Sequence, residues 1–193
     1  MSEANEWEWA HASRPHPGES DCGDEVWSFV DAEAGELLLA VIDGLGHGAK
    51  ARQAALACRE SFEQSAQAGS REPTQLLRTA HEAIRSSRGV AASLLRLTRT
   101  EIVFAGIGNV ACATTHEAFR PFPRDGILGY RFRAIHPHAA PRQPMWLALF
   151  TDGLPALNLE RFLHEPVSQI PEKMLQTATP STDDQAVAVV RIV

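Results

Sequence analysis

The stretch LLLAVIDGLGHG, residues 37–48, decides the fold because it joins a buried strand to a glycine-rich turn. Its first six residues are all apolar, as expected of a strand that is covered on both faces. We therefore predict a strand over residues 36–42, with Asp43 directly after it at the rim of a sheet. The glycines at positions 44, 46 and 48 predict a sharp turn beyond that strand.

Helical periodicity begins after this turn. Small and apolar residues recur every three or four positions and predict one helix of about four turns. Pro73 stands where a second helix would begin, because proline is favoured in the first turn of a helix. The two apolar stripes consist of Ala51, Ala54, Ala55, Cys58 and Phe62, and of Leu76, Leu77, Ala80 and Ile84.

Strand patterns occupy most of the remaining chain. Predicted strands cover residues 7–12, 26–30, 91–97, 101–107, 110–114, 145–151 and 186–192, with weaker ones at 119–122 and 130–135 and short helical pieces around 155–177. Because no βαβ unit repeats, this order predicts an α+β fold with mostly antiparallel pairing. The length of 193 residues fits one domain, which we predict over residues 1–193.

Composition and charge exclude several classes of function. The chain has 24 acidic and 18 basic residues and a net charge of −6, which argues against nucleic acid as a partner. The apolar runs are too short to span a membrane and no signal peptide is visible, so we expect a soluble, cytoplasmic protein without a membrane partner. Cys22, Cys58 and Cys112 form no CxxC pair and are expected to be reduced thiols.

Further aspartates stand at strand ends. Asp152 follows an apolar strand in WLALFTDGL (146–154), and Asp183 and Asp184 precede one in STDDQAVAVV (181–190). Aspartates at the rim of a rigid sheet are held firmly yet remain open to water. Because Mg²⁺ and Mn²⁺ favour carboxylate and carbonyl oxygens, these positions indicate a metal site.

Asp-Gly is also one of the commonest turn dipeptides, so a single such pair would more often be a plain turn. Two of them follow wholly apolar strands, at Asp43 and Asp152, and the pair Asp183–Asp184 precedes a third strand. This repetition favours the metal site.

Five motifs occur in order along the chain: CGD (22–24), DGLGHG (43–48), AGIGNV (105–110), TDGL (151–154) and DDQAVAVV (183–190). Taken together, they resemble the motifs of the PPM-type serine/threonine phosphatases, in particular the bacterial sporulation-phosphatase-like branch with its small stand-alone stressosome phosphatases. The resemblance spans residues 14–193 and implies a four-layer α-β-β-α sandwich of two mostly antiparallel sheets flanked by helices.

The same resemblance implies a centre of two Mn²⁺ or Mg²⁺ ions, with Asp43, Asp152 and Asp183 as the catalytic residues. Asp43 would bridge both ions, and the Gly44 carbonyl would bind one of them. Asp152 and Asp183 would complete the other ion, and Asp24 would contact the second metal directly or through its water.

The implied activity is hydrolysis of phosphoserine or phosphothreonine on a protein partner, possibly a STAS-domain protein of the stressosome. Two close divalent ions activate a water molecule for attack on phosphorus, so no phosphoenzyme is needed. Two alternatives remain open: a non-catalytic, phosphatase-like binding module, and a hydrolase of small phosphoesters.

Several residues have weaker assignments. Leu45 stands where some family members carry a histidine that protonates the leaving group, and His47 is a candidate for that role or for a structural one. Arg14 is the candidate for holding the substrate phosphate. Asp184 is expected to support the site without binding metal, and Asn109 to lie near it as a turn residue.

Two further patterns have structural interpretations. His136 and His138 lie between prolines in IHPHAAP (135–141) and are expected in a solvated loop. Trp7 and Trp9 alternate with glutamates at strand spacing, which favours packing of both indoles into the core.

Overall fold

The computed structural model describes residues 7–154, 158–178 and 182–193. Within these ranges the chain forms eleven strands and three α-helices, and two short 3₁₀ helices precede the last α-helix. In chain order the elements are β1 (Trp7–Arg14), β2 (Asp24–Asp31), β3 (Glu36–Gly44), α1 (Ala49–Gln67), α2 (Pro73–Ala83), β4 (Val90–Leu97), β5 (Glu101–Ile107), β6 (Ala111–Thr114), β7 (Gly126–Ile127), β8 (Arg131–Phe132), β9 (His138–Pro141), β10 (Met145–Phe150), the 3₁₀ helices Leu159–Phe162 and Val167–Gln169, α3 (Ile170–Thr177) and β11 (Gln185–Ile192).

Two sheets form the centre of the protein. The first has the strand order β1-β11-β10-β6 and the second the order β2-β3-β4-β5-β9. Every pairing within them is antiparallel. β7 and β8 form a separate two-stranded hairpin. The predicted pair of antiparallel sheets is therefore confirmed.

The apolar run of β3 is explained by burial on both of its faces. Leu37 and Leu39 face the first sheet and pack in the core between the two sheets. Leu38, Ala40 and Ile42 point the other way, into the core beneath α1 and α2. Since side chains alternate along a strand, a strand with helices on one side and a sheet on the other must be apolar at every position.

A third apolar cluster completes the layers. On the outer face of the first sheet, Val187 and Val189 of β11 pack with Ile170 and Met174 of α3. Helices thus cover the outer face of each sheet. This arrangement confirms the predicted α-β-β-α sandwich.

The first helix is longer than predicted. α1 has 19 residues because its buried stripe continues beyond Phe62 to Ala66, four positions further on. Pro73 opens α2 as expected, and α2 ends at Ala83, so that Ile84 caps the helix. Among the described residues no helix is both long and apolar enough to cross a membrane.

Two of the weaker strand predictions need correction. Residues 119–122 form no strand, because Phe119 enters the core between the sheets from a turn in which its N–H bonds the His116 carbonyl. The strand predicted over residues 130–135 is reduced to β8, which pairs only with β7.

The predicted solvated loop is also wrong at His138. Residues 138–141 form β9, which pairs with β5 at the edge of the second sheet. The His138 ring packs edge-on against Phe104 and Phe122, at centroid distances of 6.2 and 4.6 Å. In contrast, the prediction for the tryptophans is confirmed, since Trp7 is buried and Trp9 packs against the same core.

The central position of β3 makes its inward residues the most sensitive to truncation. Leu39 is fully buried between the sheets, so Leu39→Ala should lower the free energy of unfolding by about 2–5 kcal/mol. Urea denaturation measures this change. Val30→Ala is the matched control, since Val30 is 45% exposed and its truncation should cost less than about 1 kcal/mol. Equal losses in the two variants would contradict the double burial of β3.

Candidate metal centre

Side chains alternate between the two faces of β2 and β3, and this alternation places two aspartates on the face that lies between the sheets. Asp43 follows Leu37, Leu39 and Val41 on the inward face of β3. Asp24 lies directly opposite Asp43 in the β2–β3 register. Because neighbouring side chains across an antiparallel pair share a face, both carboxyl groups lie at the end of the inner layer.

The first sheet supplies the other aspartates at the same rim. β10 and β11 pair antiparallel, and beyond Phe150 the Thr151 N–H donates to the Ala186 carbonyl at 3.0 Å. The end of β10 and the start of β11 therefore meet, which brings Asp152 next to residues 183 and 184.

Close backbone contacts lock the motif segments together. The Gly44 N–H donates to the Gly23 carbonyl at 3.1 Å, and a Cβ on Gly44 would overlap the Ala51 carbonyl oxygen. A Cβ on Gly153 would likewise overlap the carbonyl oxygen of Asp184. Both glycines are needed because main chain approaches main chain at these points.

Neighbouring carboxylates act on the ionisation of Asp43. Burial raises the pKa of Asp43 from 3.8 to about 7, and the Asp152 and Asp183 carboxylates add to the rise. A hydrogen bond from Asn109 acts in the opposite direction. Asp43, Asp152 and Asp183 therefore lie at one site, because charges affect one another's pKa strongly only over short distances.

Asp24 is a buried acid of the site. Its exposure is 4%, and burial followed by the charge of Asp43 holds its pKa well above the usual range. The Thr151 hydroxyl forms a hydrogen bond with Asp24 that opposes this rise. Within the described structure, Oδ2 of Asp24 is buried and has no hydrogen-bond partner.

Asn109 ties two of the aspartates together. Its Nδ2 donates to Oδ2 of Asp152 at 2.7 Å, and its side chain also hydrogen-bonds Asp43. Since it follows the end of β5, Asn109 fixes the distance between a carboxylate of the second sheet and one of the first. The expectation that Asn109 lies near the site is confirmed.

The two consecutive aspartates before β11 have different surroundings. Asp184 is 2% exposed, and its Oδ1 accepts the main-chain N–H of His16 at 2.8 Å. Asp183 is exposed and accepts the Asp184 N–H at 2.9 Å. Asp184 thus anchors the loop before β2, which agrees with a supporting role.

Two candidates for substrate chemistry are engaged in other contacts. Arg14 donates from Nε to Oε1 of Gln185 at 3.0 Å. His47 stacks on His16 with a centroid distance of 4.3 Å, and its Nδ1 lies 2.9 Å from Oε1 of Glu19. The Arg14 side chain therefore ties the end of β1 to β11, and His47 contacts the loop between β1 and β2.

Sequence reasoning did not find the hydrogen bonds of Thr151 and Gln185. The Gln185 amide donates to the Gly153 carbonyl, and the Thr151 hydroxyl accepts the Ala186 N–H at 2.9 Å. The only local signal was their position beside Asp152 and Asp184 in the two motifs.

The cysteines have no part in the chemistry of the site. Cys22 is buried beside Asp24, and burial raises the pKa of its thiol to about 12. Cys58 is buried in the core under α1, and burial raises the pKa of Cys112 to about 12. All three are free thiols, as predicted, and stay protonated at neutral pH.

The donor set fits a hard divalent cation. In the ranges that the structure describes, no group of three His, Cys, Asp or Glu side chains is already positioned to coordinate a metal ion. The aspartates instead lie near one another, and the pKa values of Asp24 and Asp43 are raised. Asp24 and Asp184 each keep a buried oxygen without a hydrogen bond. A cation would relieve this repulsion and give those oxygens a partner.

Comparison with known proteins agrees with these features. No family model matches the chain. The phosphoserine phosphatase RsbX of Bacillus subtilis (strain 168) is 27% identical over 175 residues, which cover 86% of this chain and 85% of RsbX. The chain therefore resembles RsbX over most of its length. The predictions of that resemblance and of a phosphatase are thereby confirmed.

Solved structures extend this likeness to the whole fold. A chain of the bacterial stressosome, described as a modular system adapted to control secondary messenger signaling, is 25% identical with a TM-score of 0.87 and covers 96% of this chain and 99% of its own length. RsbX in complex with magnesium matches with a TM-score of 0.82 at 23% identity, covering 97% and 96%. The catalytic domain of the serine/threonine phosphatase PstP with two manganese ions shares the fold at a TM-score of 0.73 and 15% identity, covering 97% and 98%.

The raised pKa of Asp43 predicts how the stability of the metal-free protein depends on pH. Between pH 3.8 and about 7 the folded state holds more protons than the unfolded chain, so stability should fall as the pH rises through this window. Asp43→Asn removes this charge and should make the chelator-treated protein more stable than wild type at about pH 8, by on the order of 1–3 kcal/mol. Urea denaturation at about pH 5 and about pH 8 measures both effects.

Asp125→Asn is the matched control for this experiment, because Asp125 is an exposed aspartate of a surface turn. It should leave the pH dependence of the wild type in place. An Asp43→Asn protein with the same loss of stability between the two pH values as wild type would contradict the electrostatic argument.

Proposed function

We propose that the chain, as a single domain over residues 1–193, is a metal-dependent serine/threonine phosphatase acting on a phosphorylated protein. The observation that carries the proposal is the meeting of Asp24, Asp43, Asp152 and Asp183 at one rim of the sandwich, where Asp43 has a pKa of about 7. Bound cations would relieve the repulsion within such a cluster, and the likeness to RsbX indicates what the cations do.

The proposed ligands are those that the motifs predict, for two Mn²⁺ or Mg²⁺ ions. Asp43 would contact both ions, the Gly44 carbonyl would contact one of them, and Asp152 and Asp183 would contact the other. Asp24 would contact the second ion directly or through water. Bound divalent ions supply an acidified water and neutralise the charge of phosphoryl oxygens.

The other residues of the site hold this arrangement in place. Asn109 keeps Asp43 and Asp152 at a fixed separation through its amide. Thr151 and the β2–β3 pairing orient Asp24. Cys22 remains a thiol, so the chain offers no thiolate nucleophile at this rim and direct attack by water is favoured.

We further propose that the substrate is phosphoserine or phosphothreonine on a STAS-domain protein of a stressosome. RsbX is a phosphoserine phosphatase, and one similar structure is that of a bacterial stressosome. The surface of a folded partner would supply much of the specificity.

Phosphate release should require a divalent cation and Asp43. With Mn²⁺, wild type should hydrolyse a phosphoserine peptide, and Asp43→Asn should lower kcat/KM by more than about 100-fold. Chelation should abolish turnover, and Asp125→Asn should retain it. Phosphate release is followed with a colorimetric assay, and Mn²⁺ binding with calorimetry.

Two outcomes would overturn this mechanism. Activity that survives both chelation and Asp43→Asn would exclude a metal-assisted reaction at this site. Absence of Mn²⁺ binding at millimolar concentration would instead favour the non-catalytic binding module.

The partner can be tested separately from the chemistry. A phosphorylated STAS protein should have a kcat/KM at least about tenfold higher than a peptide with the same phosphosite, because the folded partner adds remote binding energy. Equal values for the protein, the peptide and p-nitrophenyl phosphate would point to a hydrolase of small phosphoesters.

A further inference from the structure

Arg88 lies beside the turn that follows Asp43 and Gly44. β4 begins at Val90, which pairs with Gly44, and the next residue, Ala91, pairs with Asp43. Arg88 is therefore two positions before the partner of a proposed metal ligand. It belongs to the short connection between α2 and β4, which the motifs of the sequence do not include.

The main chain around Arg88 is fixed by hydrogen bonds on both sides. The Leu45 N–H donates to the Gly89 carbonyl at 3.2 Å, and the Gly89 N–H donates to the Ser87 hydroxyl at 3.0 Å. Val90 and Leu128 exchange two hydrogen bonds, at 3.1 and 2.9 Å, which seat the β7–β8 hairpin against this segment. The Cα position of Arg88 is thus set by the fold.

The guanidinium group lies over the turn itself. Nη1 of Arg88 donates to the Leu45 carbonyl at 3.2 Å and lies 3.1 Å from the place that a Cβ on Gly46 would occupy. Arg88 is exposed, and among the described residues it forms no ion pair. Its single bond to a neutral carbonyl leaves most of its five N–H donors available.

Other arginines near this end of the molecule have partners. Arg85, three residues earlier, forms a two-bond ion pair with Glu82 at 2.7 and 2.9 Å. Arg52 lies 3.6 Å from Asp21. Arg14 donates both Nε and Nη2 to Gln185. Arg88 is the arginine whose charge is held at the turn after Asp43 without being neutralised.

An arginine in this position matches the charge and shape of a phosphoryl group. The guanidinium fork binds two phosphate oxygens at once, which an ammonium group cannot do. We propose that Arg88 binds the phosphoryl group of the substrate beside the metal centre, in place of Arg14. This inference rests on the proposed function.

Binding of inorganic phosphate tests Arg88 without requiring turnover. Calorimetry is run with the Mn²⁺-loaded protein, and Arg88→Ala should weaken phosphate binding by about 10- to 100-fold. Arg88→Lys should recover part of the loss, because it keeps the charge without the fork. Arg85→Ala is the matched control and should bind phosphate as wild type does. Mn²⁺ affinity should be the same in all four proteins.

Steady-state kinetics give the second readout. Arg88→Ala should lower kcat/KM by a similar factor for p-nitrophenyl phosphate and for a phosphoserine peptide, because both carry the same phosphoryl group. A loss confined to the folded phosphoprotein would overturn the proposal in favour of a contact with the partner's surface. Unchanged phosphate binding in Arg88→Ala would overturn it as well, as would a loss found only in Arg14→Ala.

Failure of the proposed function gives a different result. If wild type has no phosphatase activity but binds phosphate with Mn²⁺, and Arg88→Ala does not, then Arg88 is a phosphate-binding residue of a non-catalytic module. If the Mn²⁺-loaded wild type binds no phosphate, the role of Arg88 is refuted whatever the activity.

Discussion

The structure depends on holding several like charges together at one rim of a buried β-sandwich. Burial and mutual repulsion raise the pKa of Asp43 to about 7, and Asp24 is shifted in the same direction. Neighbouring carboxylates would move apart if their backbones were free to move. Here the backbones are held by β-sheet pairing and by glycine contacts, so the repulsion persists until a proton or a cation neutralises it.

The same apolar pattern that builds the core also sets the direction of the carboxylates. Leu37, Leu39 and Val41 face inward along β3, and Asp43, two residues after Val41, lies on the same face. A slip of one residue in the register would place Asp43 on the helix-covered face and Leu38 at the inner layer. Such a slip would bury the Asp43 carboxylate under α1, so the cost of burying this charge and the geometry of the site select the same register.

How much of this could be predicted from sequence depends on whether the determining contacts are local. β5 and β11 were predicted to within one residue, because their strands are apolar runs bounded by turns. The Asp43 and Asp152 positions followed from strand ends, and their assignment to one site relied on the ordered motifs. In contrast, β9 forms because its backbone pairs with the edge of β5, and no local sequence pattern around His138 predicts that pairing.

Arg88 illustrates the same limit at the site. Its position depends on Val90 pairing with Gly44 and on the β7–β8 hairpin packing against the same segment, which are contacts between distant parts of the chain. An arginine paired directly with Asp43 would lower the pKa of that carboxyl group, but it would also occupy oxygens that a cation needs. Bonding to the Leu45 carbonyl keeps the positive charge at the turn after Asp43 without such pairing. The turn after Asp43 therefore lies between two sites of opposite charge. The aspartates are suited to binding cations, and the Arg88 guanidinium is suited to binding an anion.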